Sequence, residues 1–262
     1  TIISEYKNKI SKSNNYITLI NDDIKNPLFQ KMSEYFFLEK LDKENYKIMQ
    51  GSWVVDSPLV IEGNLEINEN TTIEFTKNAY MIIKGKIKFL GTKSKPIILR
   101  GQSKSWKGIY IIEAKEKSII KNVILSDISE LDEGILDLTG GITFYRSNLL
   151  IDNLEISNTF SEDAINIIES NYEIKNLKIY NTISDGIDFD FSNGNINNSI
   201  FQNIGGDAID FAGTNGSLNK IEINNVKDKG ISVGENSDLK ASNININNIK
   251  IGIATKDGSN LL

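Results

Sequence analysis

The sequence predicts an all-β chain wound into a solenoid of stacked coils, about 22 residues to a coil, with a short N-terminal helical cap. Three observations carry this. A small-Ile-x-apolar motif recurs at Gly108-Ile109, Gly141-Ile142, Ala164-Ile165, Gly186-Ile187, Ala208-Ile209, Gly230-Ile231 and Gly252-Ile253, at intervals of 33, 23, 22, 22, 22 and 22 residues. Between these anchors apolar and polar residues alternate with period two, as in Ile151–Asn158 and Ile174–Asn181, and no helical period intervenes. Asparagine, 33 of the 262 residues, gathers after position 150 and repeats in a column at Asn158, Asn181, Asn203, Asn225 and Asn248.

From the N-terminus, Thr1–Ile20 carries Glu5, Lys7, Lys9 and Lys12 and so lacks the apolar core of a signal segment. The sequence begins at Thr1 without an initiator Met, which predicts further protein before it. Over residues 26–43, Asn26 suits an N-cap, Pro27 the first helical turn, and Leu28, Met32, Tyr35 and Phe36 recur at helical spacing. An amphipathic helix there would cover the first coil's open strand edges. Residues 1–49 are thus read as an extension with a helical cap, and 50–262 as the solenoid, with Leu65 and Ile87 continuing the period backwards. The interval of 33 holds eleven extra residues, Ser129–Thr139, expected to project as a loop. Ser259-Asn260-Leu261-Leu262 repeats Ser147-Asn148-Leu149-Leu150, where the earlier unit runs on, so the sequence is expected to stop in mid-coil with neighbouring domains beyond both termini.

Why a solenoid follows is a matter of length. Twenty-two residues holding two or three short strands leave no room for the helical crossover of a βαβ unit. Coils stacked at about 4.8 Å instead let the inward residues of every strand fill one apolar column. Asparagine fits the corners because it tolerates the left-handed backbone and bonds locally. These anchors, the asparagine column and the run Leu65-Glu66-Ile67-Asn68-Glu69-Asn70-Thr71-Thr72-Ile73-Glu74-Phe75 resemble right-handed parallel β-helix proteins of the pectin-lyase-like superfamily, over roughly residues 50–262. The right-handed winding is implied by that resemblance, as is a polysaccharide or glycan partner met outside the cell or at its surface.

Composition narrows the chemistry. A chain of this length buries about three-quarters of its unfolded surface unaided. With no cysteine and no histidine, disulfides, thiolate or imidazole metal sites and Ser-His-Asp triads are excluded. A net charge of −6 disfavours nucleic acid, and no apolar run approaches the roughly 18 residues that membrane insertion needs. Gly205-Gly206 lies in a coil turn without the following helix that a dinucleotide site requires.

What remains is carboxylate chemistry. Two residues before each anchor isoleucine the column reads Asp163, Asp185, Asp207, Lys229; within the anchor strand Ile187 and Phe189 point inward, which turns Asp188 and Asp190 outward and exposes Asn166, Asp210 and Ser232 by the same alternation. Stacking brings Asp188 over Asp210, and Asp185 over Asp207, with Cα atoms about 5 Å apart. Like charges that close raise one another's pKa unless compensated. Three explanations stand. Aspartates on adjacent coils, roughly 5 to 9 Å apart, could act as the acid and base of a glycoside hydrolase. Asp188, Asp190 and Asp210 could ligate calcium, the one cofactor this pattern suggests. Or the aspartates organise turns, and Lys229 neutralises the column's end.

A narrower resemblance is to the polygalacturonase group of β-helix hydrolases, which carry Asn-Thr-Asp, Gly-Asp-Asp, Gly-His-Gly and Arg-x-Lys on successive coils. Ser184-Asp185, Gly205-Gly206-Asp207, Asp228-Lys229-Gly230 and Ala254-Thr255-Lys256 are similar in order and spacing. Gly206, Lys229 and Ala254 depart from it, so only Asp185, Asp207 and Lys256 carry over. Elimination, as in pectate-lyase-like enzymes, needs a basic residue, for which Arg146, Lys229 and Lys256 are the candidates; Arg146 also aligns with Glu169 as a surface ion pair. Tyr110, Tyr145, Tyr172 and Tyr180 are candidate sugar platforms. The sequence therefore predicts a carbohydrate-interacting strip of Asp185, Asp188, Asp190, Asp207, Asp210 and Lys229, joined by Lys256 in the catalytic reading. Glycoside hydrolysis is favoured over lyase chemistry, and the alternative is a non-catalytic scaffold for surface presentation.

Overall fold

The computed structural model describes residues 35–262 except 104, 134 and 135. Residues 37–262 form one compact all-β unit, a solenoid of about ten coils. Its anchor strands, from Leu59–Ile61 and Met81–Ile83 through Ile109–Ile112, Gly140–Tyr145, Asp163–Ile168 and Asp185–Asp190 to Ile209–Ala212, pair in parallel one above the next. The pairing is in phase with the repeat: Ile165 lies on Ile187, Ile187 on Ile209, Ile209 on Ile231 and Ile231 on Ile253. Period-two alternation then turns these isoleucines inward, where all but the terminal Ile253 are buried. Phe189 stacks on Phe211 in the same phase at 4.9 Å, and Tyr172, from the strand Asn171–Thr182, packs tilted against Phe189 at 4.3 Å.

The other faces come from long strands that bend. Ser118–Ser129, Leu149–Phe160, Asn171–Thr182 and Asn193–Ile204 each turn two corners, and at each corner one residue has positive φ. One corner column is Asp127, Asn158, Asn181, Asn203, Asn225 and Asn248. Its side chains join coil to coil: Asn203 Nδ2 donates to Asn181 Oδ1 at 2.9 Å, Asn225 to Asn203 at 2.7 Å and Asn248 to Asn225 at 3.0 Å. Asparagine recurs there because it takes the left-handed corner cheaply and its amide is both donor and acceptor.

A second column is buried. Ser147, Ser170, Ser192, Thr214, Ser237 and Ser259 follow the anchor strands, and each hydroxyl oxygen accepts the backbone N–H one coil earlier: Ser170 N–H to Ser192 Oγ at 3.1 Å, Ser192 N–H to Thr214 Oγ1 at 3.3 Å, Thr214 N–H to Ser237 Oγ at 2.9 Å. The Ser192 hydroxyl also lies 3.0 Å from the Asp190 carbonyl, to which it donates. Corner amides that no strand can pair are thereby satisfied inside the wall.

Two expectations change. The first half of the predicted helix at 26–43 lies outside the described residues, but the second half does not: Leu38–Lys40 is a strand, paired antiparallel with Asn45–Ile48. Asp42 builds the turn between them, its carboxylate accepting the N–H groups of Glu44 at 2.8 Å and Asn45 at 2.9 Å. Asn45–Ile48 pairs in turn with Asn64–Asn68, so here an antiparallel strand covers the first edge. The eleven extra residues are not an irregular loop either; Leu131–Glu133 and Leu136–Leu138 pair as a β-hairpin, with Leu131 fully buried.

The serine column gives a stability prediction. Ser192→Ala removes the acceptor of a buried N–H and is expected to cost about 1–3 kcal/mol, read as a lower denaturant midpoint at unchanged slope. Asn203→Ala, on the exposed column, is expected to cost less.

Candidate functional site

The outer face of the anchor sheet changes character along the solenoid. It begins with Val60, Ile82 and Tyr110, passes Thr143 and Asn166, and reaches Asp188 and Asp190, then Asp210 and Ser232. Strand alternation turns these side chains away from the core, yet water reaches few of them. Tyr110 and Ser232 are fully buried, Asn166 is 4% exposed, and Asp188, Asp190 and Asp210 are half-buried. The expected exposure of Asn166 and Ser232 is therefore wrong, because alternation decides only which side of the sheet a residue faces. Tyr110 and Tyr172 are likewise buried and unavailable to a sugar.

The acidic columns assemble as the 22-residue phase requires. Asp163 pairs with Asp185 and Asp188 with Asp210 on neighbouring strands. Asp185 Oδ1 accepts the Asp207 N–H at 2.8 Å, and Asp207 Oδ1 accepts the Lys229 N–H at 2.9 Å, so each carboxylate anchors the next coil's turn. Gly206 is what admits this bond: a Cβ there would lie 1.9 Å from Asp185 Oδ1. A second carboxylate at this position, as in the polygalacturonase pattern, would have to displace the Asp185 carboxylate from this bond.

Asn166 holds the upper part together. Its amide donates to Asp188 Oδ2 at 3.0 Å and to Asp163 Oδ2 at 3.4 Å, while its own buried Oδ1 receives no hydrogen bond. Its place in the column Thr143, Asn166, Asp188, Asp210, Ser232 was visible in the sequence; its role as a shared donor was not. Lower down, Lys229 Nζ binds Asp207 Oδ2 at 3.0 Å and Asp228 Oδ2 at 2.7 Å. Lys256 is exposed, with its stem against Gly234, and its charge reaches Asp210.

Burial and mutual repulsion dominate the electrostatics. Burial pushes Asp185 up to about 6, against the Asp207 N–H bond that lowers it, with Asp207 and Asp210 adding to the rise. Asp190 also rises to about 6, again chiefly by burial, eased by the Asn166 hydrogen bond. Asp163 and Asp188 rise well above the usual carboxylate range through burial and then neighbouring aspartates. Asp210 rises for the same first reason, moderated by Ser232. Burial pulls Lys229 down, but its bonds to Asp228 and Asp207 outweigh that and its pKa is raised.

Three carboxylates converge. One oxygen each from Asp185, Asp207 and Asp210 lies within 4.8 Å of the others, a spacing that one cation with bonds of about 2.3–2.6 Å could bridge. Lys229 already occupies one side of Asp207. Asp188 and Asp190, two of the residues expected to bind calcium, adjoin this trio on the same face, and Asp210 belongs to both sets. Among the lyase candidates, Arg146 is held by Glu169 at 2.8 Å and faces Glu113 at 3.6 Å.

No protein-family model and no curated protein matches the sequence. Solved structures do match. The chain is similar to the catalytic unit of the thermostable GH87 alpha-1,3-glucanase from Streptomyces thermodiastaticus strain HF3-3, with a TM-score of 0.55 and 10% identity, over 83% of this chain and 61% of that one. A double mutant of the periplasmic alginate epimerase AlgG matches with a TM-score of 0.31 and 11% identity over 89% and 82% of the two chains. The Agl-KA catalytic domain matches at 0.27 and 11% over 89% and 64%. The chain thus spans 61% of the glucanase unit's length. At such identity the likeness is one of fold, and with the in-phase parallel coils it establishes a parallel β-helix. Among the described residues, no helix is long and apolar enough to cross a membrane.

The raised aspartates set a pH dependence whose sign is fixed. Between about pH 4 and 6 the folded state holds protons on Asp185 and Asp190 that the unfolded chain has released, so their contribution to stability falls as pH rises through about 6. Each group contributes up to about 3 kcal/mol. Asp188→Asn with Asp190→Asn is expected to raise the melting temperature at pH 7.5 and to narrow the gap between pH 4.5 and 7.5. An unchanged gap would mean the pair carries no raised pKa.

Proposed function

We propose that this carboxylate cluster processes a glycan, cleaving a glycosidic bond with Asp185 as proton donor and Asp207 as its charged partner. The observation that carries the proposal is the difference in their surroundings. Asp185 is pushed up to about 6 by burial and neighbouring carboxylates, whereas Asp207 is ion-paired with Lys229 at 3.0 Å. A carboxyl raised enough to deliver a proton, beside a carboxylate paired with a cation, is the arrangement that acid-assisted glycoside cleavage uses. The Asp185 proton passes to the leaving oxygen as the C1–O bond breaks, and the negative charge on Asp207 stabilises the cationic sugar before water completes the exchange. Carboxylate oxygens within 4.8 Å suit the short separation of retaining enzymes better than the wider gap that inverting enzymes need for a water.

Elimination is less well supported. Arg146 is committed to Glu169, and Lys229 is held protonated by two carboxylates, so neither is a ready base. The β-helix fold shared with a glucanase supports a carbohydrate role, and a polysaccharide substrate would be met outside the cell or at its surface. A second reading rests on the convergence of Asp185, Asp207 and Asp210: they would hold calcium, which when bound supplies positive charge for an acidic sugar. A β-helix scaffold of this kind would bind or present without cleaving.

These readings separate by measurement. Against a panel of polysaccharides that includes alpha-1,3-glucan, Asp185→Asn is expected to lower kcat by about 10²–10⁴ with KM little changed. Full activity in that variant would end the hydrolytic assignment. If the calcium reading is right, about 1 mM calcium raises the melting temperature of the wild type at pH 7.5, and Asp185→Asn with Asp210→Asn abolishes the rise.

A further inference from the structure

A second corner of the solenoid holds a groove of about 420 Å³ whose lining includes neither the anchor sheet nor the acidic cluster. Its floor is part of the other column of left-handed residues, Asn122, Asn153, Asn176, Asn198 and Lys220, which Asn243 continues beyond the groove, with φ between 50° and 63°. From Asn122 to Lys220 is four coil steps, roughly 19 Å at the strand spacing. The segment between strands Ile87–Leu90 and Ile97–Gly101 overhangs one end: Asn122 Nδ2 bonds Gly91 O at 2.9 Å, Thr92 and Lys95 close a turn, and Lys93 reaches the groove.

Lys220 departs from the pattern. Five of the six residues in this column are asparagine, which takes positive φ readily, whereas a lysine at φ 57° is strained. The amide bonding in this column is discontinuous: Asn153 donates to Asn122 and Asn198 to Asn176, but Asn176 itself donates to Asp152, and at Lys220 no carboxamide follows Asn198, so Asn243 turns to Asn219. Among the described residues neither Lys220 nor Lys93 has an ion-pair partner, while Lys178 on the groove wall faces Glu155 only at 3.8 Å. Asp152 and Glu222 also line the groove, and Asp152 is engaged by Asn176 at 2.7 Å. Three ammonium groups against two carboxylates leave the lining one positive charge in excess, with Lys178 shared with Glu155 beside it.

We infer that this groove is a binding site for an extended acidic oligosaccharide, its sugar carboxylates paired with Lys93 and Lys220 at the ends and its hydroxyls bonded by the amides between. Amides and carboxylates repeating at the coil spacing offer donors and acceptors in series, as a chain of hydroxyl-bearing rings demands. The lining has no aromatic ring, so nothing there would stack nucleobases. This site does not depend on the carboxylate cluster being catalytic.

The test is calorimetric titration of the full chain with hexameric oligogalacturonate, its methyl ester and a sulfated neutral hexamer. The free acid is expected to bind saturably and more weakly as salt rises. Its uncharged ester should bind at least about tenfold more weakly, and Lys93→Ser and Lys220→Asn should each weaken the acid about tenfold. Lys220→Asn should melt no lower than wild type, since it supplies the missing amide; if it does melt lower, Lys93→Ser decides alone. No saturable binding of the acid, equal binding of its ester, preference for the sulfated hexamer, or wild-type affinity in both lysine variants would each overturn the assignment.

Discussion

In-phase parallel stacking governs this molecule. Because Ile165, Ile187, Ile209, Ile231 and Ile253 lie directly over one another, every position in the repeat meets its own kind in the next coil. For apolar residues that is favourable, since a stack of isoleucines and phenylalanines fills the interior without voids. For asparagine and serine it is favourable too, because corner amides bond to one another and each serine hydroxyl accepts the backbone N–H of the coil before. For aspartate it is costly. The same register that builds the wall creates the Asp163, Asp185, Asp207 and the Asp188, Asp210 contacts, and no rotamer choice removes them.

How much could be read beforehand follows from this constraint. The anchors were visible because period and alternation are properties of the sequence itself, and the asparagine column because its amides mark corners. The buried serine column was equally periodic, at intervals of 23, 22, 22, 23 and 22 from Ser147 to Ser259, but serine occurs in so many settings that only the hydrogen bonds distinguish it. Depth of burial was not visible: alternation placed Asn166 and Tyr110 on the outer side of the anchor sheet and could not show that both are excluded from water. The first edge misled for another reason. Tyr35 and Phe36 fit a helical spacing, yet from Leu38 to Lys40 the open N–H and C=O groups of Asn45–Ile48 offer a ladder, and pairing with it satisfies backbone groups that a helix would leave on the edge.

Within the site, the same tension separates what Asp207 does from what Asp185 does. Lys229 ends the aspartate column and supplies one ammonium group, which Asp207 and Asp228 share. Asp185, one coil further from that charge, has no cation beside it among the described residues; it accepts the Asp207 N–H and a long bond from the Ser184 hydroxyl, and burial raises it. Asymmetry between the two carboxylates therefore comes from position in a finite column, not from differences in their local sequence. Gly206 tightens the arrangement, since any side chain there would displace the Asp185 carboxylate from the turn it anchors.

Columns that obey the like-on-like rule stabilise the solenoid, and those that break it carry charge that the coil does not need. Lys220 interrupts a run of corner asparagines, and Asp188 and Asp210 stand in an outer column that elsewhere holds Thr143, Asn166 and Ser232. Each exception adds strain or repulsion where a structurally cheaper residue occupies the neighbouring coil. Such local conflict in an otherwise consistent repeat is characteristic of positions retained for a ligand. The two sets of exceptions have opposite sign, cationic at one corner and acidic on the anchor sheet.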